Sequence, residues 1–264
     1  MMFLARFNMT QNPFAEQPPI EWLLKDERIA QGLARLDYFA NHGLLALILG
    51  QTGLGKSSLL RLFIHALQKN RCRPIYLHLT QLNATGFLRL IAAALGEEPK
   101  LGKDRLFRQI IERVRKADAP AMLLIDEAHL IDPAALTDLR LLLSSAIDDT
   151  PPLKIVLCGQ EPLRALIARA SHEDLQNRIS VRCHLHPLEK EQTHAYIDAR
   201  VRQSGASDKL FEPEAKTALH EYAAGIPRQI NNIATACLIH AQTKDANKIT
   251  ETLVNQTMAE FRLP

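Results

Sequence analysis

The chain has 264 residues, 47% hydrophobic and 23% charged, with a formal net charge of +3. That is enough chain to bury roughly three quarters of its unfolded surface, so the expectation is one large globular domain with or without a small satellite, and not a disordered protein. Four cysteines without a CxxC pair indicate neither a zinc site nor a disulfide framework, the charge permits nucleic acid without requiring it, and no apolar run approaches the roughly 20 residues of a membrane span.

The apolar start Met1-Met2-Phe3-Leu4-Ala5 is interrupted by Arg6, Asn8 and Gln11 before a signal-peptide core develops, so a cytoplasmic location is expected. Phe7 to Phe14 is turn-prone, and a helix is expected over Asp26 to Ala40. The apolar run Leu44 to Leu49 then leads into Gly50-Gln51-Thr52-Gly53-Leu54-Gly55-Lys56-Ser57, followed by Ser58 and an apolar helix pattern. This is a complete P-loop between a strand and a helix. Its glycines let backbone N–H groups face phosphates, Lys56 reaches the β/γ-phosphates, and Ser57 ligates Mg²⁺ at a helix N-terminus that favours anions. Ser58 is counted with the nucleotide-binding residues. Upstream, Phe14 either caps the core or, with Pro13, walls an adenine pocket.

Pro74 to Leu79 reads as a buried strand and Gly86 to Leu95 as a helix. Lys103 to Lys116 is amphipathic, with Leu106, Phe107, Ile110, Ile111 and Val114 inward and the arginines largely outward. The strand Met122 to Ile125 runs straight into Asp126-Glu127-Ala128-His129, a Walker B pattern. Asp126 falls beside the metal, Glu127 is placed to orient or deprotonate the attacking water, and His129 reads as structural. Both motifs at the C-terminal ends of parallel strands would make one site.

Pro133 to Ser144 is helical, Thr150-Pro151-Pro152 breaks the chain, and the strand Leu153 to Gly159 ends in Gln160. Gln160 either touches the γ-phosphate or attacking water, or is an ordinary polar residue at a helix start. A helix over Pro162 to Ala170, then Arg178 and a strand over Val181 to Leu185, complete the sheet region. His184 and His186 share a strand face, which without a third ligand is weak evidence for metal. From Leu188 onward the pattern is helical: Glu189 to Gln203, Pro213 to Ala223, Pro227 to Gln242 and Thr250 to Phe261. An α/β nucleotide-binding domain over residues 1–187 and a helical lid over 188–264 are therefore expected. Gly225-Ile226-Pro227-Arg228 puts an arginine in a first helical turn, where a bound anion is a reasonable partner.

Together the P-loop, Asp126-Glu127, Gln160, Arg178 and Gly225-Ile226-Pro227-Arg228 resemble Walker A, Walker B, sensor 1, arginine finger and sensor 2 of an AAA+ ATPase. Asn12-Pro13-Phe14, Leu157 to Leu163 and Gly225 to Asn232 narrow the resemblance to the ExeA-type group, whose members serve secretion or, similar to TnsC-type regulators, DNA transposition. The resemblance implies a parallel five-stranded sheet flanked by helices, ATP and Mg²⁺ as cofactors, and a homo-oligomer forming a ring or helix. In such an assembly Arg228 contacts the γ-phosphate of its own subunit, and Arg178, or Arg182 in its place, reaches the neighbour's nucleotide.

Secretion members continue into a membrane span and a peptidoglycan-binding region, whereas this sequence ends at Pro264. The expectation is therefore a transposition regulator that oligomerises on double-stranded DNA and recruits or activates a transposase or adaptor. Lys100, Lys103 and Arg105 are the candidate DNA contacts, the alternative for them being a solvated basic face. The alternative function is a cytoplasmic ExeA-like ATPase of secretion or envelope assembly.

Overall fold

The computed structural model describes residues 2–67, 72–144 and 153–261, and the break expected at Thr150-Pro151-Pro152 lies outside them. In chain order the elements are α1 (Met2–Arg6), α2 (Glu27–His42), β1 (Leu45–Leu49), α3 (Lys56–Ala66), β2 (Arg73–His78), α4 (Ala84–Ala94), α5 (Lys103–Arg115), β3 (Ala121–Asp126), α6 (Pro133–Ser144), β4 (Lys154–Gly159), α7 (Glu161–Ile167), α8 (Glu173–Gln176), β5 (Ile179–His184), α9 (Lys190–Gln203), α10 (Pro213–Ala223), α11 (Pro227–Thr243) and α12 (Glu251–Phe261). They fall into two compact units, one of Arg28–Thr52 and Lys56–Leu185, the other of Met1–Glu27, Gly53–Gly55 and His186–Pro264.

The first unit is built on a five-stranded parallel sheet of order β2-β3-β4-β1-β5 flanked by helices, the fold that the resemblance implies. The strands β1, β3 and β4 are buried along their whole length, as central strands of a parallel sheet must be when both faces are covered. The strand read as buried over Pro74 to Leu79 is only partly so: β2 is an edge strand whose residues alternate, leaving Tyr76 47% exposed. On α5 the stripe Leu106, Ile110 and Val114 is buried. Gln109 shares that stripe and stays there because its amide donates to Glu98 O at 2.8 Å while its Oε1 accepts from Lys100 N at 3.1 Å.

In a parallel sheet all strands end on one edge, and here β4 lies between β1 and β3. The residues after β1, at the end of β3 and after β4 are therefore neighbours. Gly50 N donates to Gly159 O at 3.2 Å, and Leu79 N to Asp126 O at 3.0 Å, extending the ladder just past the strands.

The second unit has its own core, in which Phe3, Phe7, Met9 and Phe14 pack with Leu188, Ile197, Phe211, Leu219 and Ile230. The first 27 residues, expected to belong with the α/β domain over residues 1–187, cluster with the helical region because their apolar side chains bury there. Arg200, 2% exposed, secures that segment by donating to Trp22 O at 3.3 Å and Ala15 O at 3.4 Å. No described helix is long and apolar enough to cross a membrane.

Candidate nucleotide-binding site

The P-loop follows β1 directly, and its turn depends on Gly53 and Gly55, whose φ angles of +83° and +101° lie in the left-handed region that favours glycine. Leu54 is buried and anchors the loop, while Gln51 and Thr52 are exposed. Lys56 opens α3 with only 5% exposure, its Nζ donating to Gly50 O at 2.9 Å and Gln51 O at 3.0 Å. The ammonium is thus held over the loop by two carbonyls. Ser57 is exposed and Ser58 half-buried at the start of the same helix.

Asp126, 2% exposed at the end of β3, is the hub of the site. Its Oδ2 accepts from Ser57 Oγ at 3.0 Å and from Tyr76 OH at 2.8 Å, and its Oδ1 accepts from Glu127 N at 2.9 Å. Burial, then the hydrogen bond to Asp126, pushes the Tyr76 phenol above its usual range. Burial above all, reinforced by the charge of Asp126, likewise raises the Cys158 thiol on β4. Ser57 and Asp126 together present hard oxygen donors at one point, the donor chemistry that suits Mg²⁺, and they are the residues that would hold it.

Glu127 takes a left-handed conformation, φ 54° and ψ 32°, at the entry to a single 3-10 turn, Ala128–Leu130. His129 Nδ1 lies 3.3 Å from Glu127 Oε2, and His129 Nε2 lies 3.2 Å from Gln160 Nε2. Gln160 occupies the N-cap position of α7 but makes no capping bond, so its amide is directed to His129 instead. Gln160 thus stands at a helix start with its amide on His129 and not on the helix's own N–H groups.

Arg228 lies in the first turn of α11, and its N–H donates to Gly53 O at 3.3 Å. A Cβ on Gly53 would come within 2.8 Å of Arg228 Cβ, so the tip of the P-loop and the Gly225-Ile226-Pro227-Arg228 run are in direct contact. Phe14 is 3% exposed, with its ring edge-on to Phe211 at 5.9 Å, and Pro13 is buried beside it. Arg178 is half-buried just before β5, at the opposite end of the sheet from the P-loop and Asp126. Arg182 is exposed within β5, its carbonyl accepting from Arg35 Nη1 at 3.0 Å. Lys100 and Arg105 are exposed, whereas Lys103 pairs at 2.9 Å with the buried Asp138 and is not a free cation.

Sequence reading missed Tyr76 altogether and treated His129 as structural. A β-branched and aromatic strand two residues out of step with Asp126 carries no local mark of contact; only the pairing of His78 with Asp126 places Tyr76 within reach.

A family model described as "AAA domain" matches residues 40–167. The chain is 30% identical over 258 residues to General secretion pathway protein A of Aeromonas hydrophila, a match that covers 94% of this chain and 46% of that protein. It thus spans about half the length of that relative. Among solved structures, Cdc6p from Pyrobaculum aerophilum superposes with a TM-score of 0.78 at 19% identity, covering 96% of this chain and 71% of that one. The Aeropyrum pernix ORC1 protein, solved in complex with DNA, gives 0.69 at 16% identity over 97% and 69% of the two chains. The Thermotoga maritima RuvB branch migration motor gives 0.61 at 16% identity over 89% and 69%. At these identities the structural likenesses establish the fold alone.

Proposed function

We propose that this chain, an ATPase of the P-loop AAA fold, hydrolyses Mg-ATP to serve a secretion or envelope-assembly apparatus. The observation that carries the choice is the 30% identity to General secretion pathway protein A across 94% of the chain. It favours the reading that the sequence alone ranks second. The transposition reading, with DNA threaded past Lys100, Lys103 and Arg105, is weakened because Lys103 is engaged by Asp138.

In this proposal the P-loop and Lys56 cradle the phosphates, Ser57 and Asp126 hold Mg²⁺, and Glu127 orients or deprotonates the attacking water. Bound there, Mg²⁺ would neutralise charge on the β- and γ-phosphate oxygens. Gln160 and Arg228 contact the γ-phosphate in the same subunit, and Arg178 reaches the neighbour's nucleotide in a head-to-tail homo-oligomer.

The test is disruption of the gene in its native host, with protein export and transposition frequency measured side by side, and ATP turnover of the purified chain with and without duplex DNA. Loss of export, unchanged transposition and turnover indifferent to DNA are expected. Loss of transposition with intact export, together with DNA-stimulated turnover, would move the function to DNA.

A further inference from the structure

We infer that His129 is a positioning residue that joins Glu127 to Gln160, so that the carboxylate after β3 and the amide after β4 act as one unit in ATP hydrolysis. This rests on Glu127 as the water-activating group and Gln160 as the group facing the γ-phosphate or water. It does not depend on which apparatus the ATPase serves.

The direction of the chain of contacts follows from donor and acceptor chemistry. An amide nitrogen only donates, so at 3.2 Å from Gln160 Nε2 the His129 Nε2 is the acceptor, and the proton of a neutral imidazole then sits on Nδ1. Nδ1 is the atom 3.3 Å from Glu127 Oε2. It is buried and completes no hydrogen bond in this arrangement, so a buried donor stands next to the carboxylate that has to be oriented. A small turn of the Glu127 side chain closes the bond. The result is a base oriented by a third group, with the third group itself held by a residue that meets substrate.

The backbone holds the three residues in place. Glu127 is fixed in its left-handed conformation by its N–H on Asp126 Oδ1, and the 3-10 turn closes with Leu130 N donating to Glu127 O at 2.9 Å. Gly159, the last residue of β4, is what lets the turn come this close, since a Cβ there would lie 3.0 Å from His129 N. Gln160 is the next residue along, and its side chain is free for His129 because it caps nothing on α7.

The experiment compares His129→Ala, His129→Asn, Gln160→Ala and the His129→Ala/Gln160→Ala pair for kcat, for affinity toward a fluorescent ATP analogue, and for Tm. Asparagine keeps an N–H close to the place of Nδ1. We expect His129→Ala to lower kcat about tenfold or more at nearly unchanged nucleotide affinity, His129→Asn to recover most of it, and the pair to be no slower than the worse single variant. The inference is overturned by an unchanged kcat in His129→Ala, by fully additive losses in the pair, or by losses that track Tm equally in His129→Ala and His129→Asn. Glu127→Gln is the control. Parental turnover in Glu127→Gln would sink the reading of the site itself, whereas slow turnover there with a normal His129→Ala would sink this inference alone.

Discussion

Tyr76 OH and Ser57 Oγ donate to one and the same oxygen, Asp126 Oδ2, at 2.8 and 3.0 Å. The edge strand β2 thereby supports the residue pair that would hold Mg²⁺, and the orientation of the Asp126 carboxylate depends on a side chain 50 residues earlier in the chain. Tyr76→Phe removes one hydrogen bond to a carboxylate, worth about 1.5 kcal/mol or roughly tenfold, without opening a cavity. The expected outcome is a rise of that order in the Mg²⁺ concentration needed for half-maximal turnover, with little change at saturating Mg²⁺. A Mg²⁺ titration of ATP hydrolysis measures this, and an unchanged midpoint would show that Tyr76 does not orient Asp126.

Binding and turnover are expected to separate at the two acidic and basic poles of the site. Lys56→Ala removes a cation that two loop carbonyls hold in place over the P-loop, and nucleotide binding should be lost. Glu127→Gln keeps the side chain's shape but removes the proposed base, so ATP should still bind while hydrolysis slows by orders of magnitude. Fluorescent-nucleotide binding and single-turnover hydrolysis on the same preparations separate the two effects.

Arg178 stands at the end of the sheet away from its own P-loop, an arrangement in which it can serve a nucleotide only in another copy of the chain. Mixed Lys56→Ala and Arg178→Ala subunits should therefore regain part of the hydrolysis that each lacks alone, through composite sites between neighbours. Co-assembled mixtures that recover nothing would argue for a surface role, such as a weak ion pair.

Gly225 and Gly96 both have left-handed φ angles, +68° and +88°, but different surroundings. A Cβ at Gly96 meets nothing within 4 Å, whereas at Gly225 it would sit 2.2 Å from Leu188 O, whose own N–H donates to Gly225 O at 2.8 Å. Gly96→Ala should cost about 1 kcal/mol of backbone strain, and Gly225→Ala at least about 3 kcal/mol because the backbone at Leu188 has to move. Denaturant unfolding of both variants checks the order, and equal losses would contradict it.

Acid should weaken the fold through two histidines. Burial, then Arg169, lowers the His172 imidazole from 6.5, and burial with Lys216 and Lys190 does the same for His194 against the weaker pull of Asp198 and Glu191. A folded value below the unfolded one means that the unfolded chain takes up protons first. The stability is therefore complete above 6.5 and declines as pH falls through 6.5 toward the folded values. Calorimetry from neutral to mildly acidic pH should show Tm falling, and less steeply in His172→Asn and in His194→Gln; parallel curves would refute the assignment.

Much of this protein is legible in short stretches of its sequence. The P-loop's glycines, Lys56 and Ser57, the apolar strand ending in Asp126-Glu127, and the 3.6-residue stripe of α5 are each set by neighbours a few positions apart, where backbone geometry and side-chain periodicity act locally. The parallel sheet follows from the same information, because alternating strands and helices leave few other ways to bury both. Long-range partnerships were decided only by the tertiary structure. Strand order brought Tyr76 to Asp126 and set Gln160 beside His129, and burial drew Phe3, Phe7, Met9 and Phe14 into the helical core and engaged Lys103 with Asp138. None of these pairs is separated by a turn or a helical period. Their energy comes from desolvated surfaces and hydrogen bonds that exist only once distant segments have been packed together, so no local pattern of residues announces them.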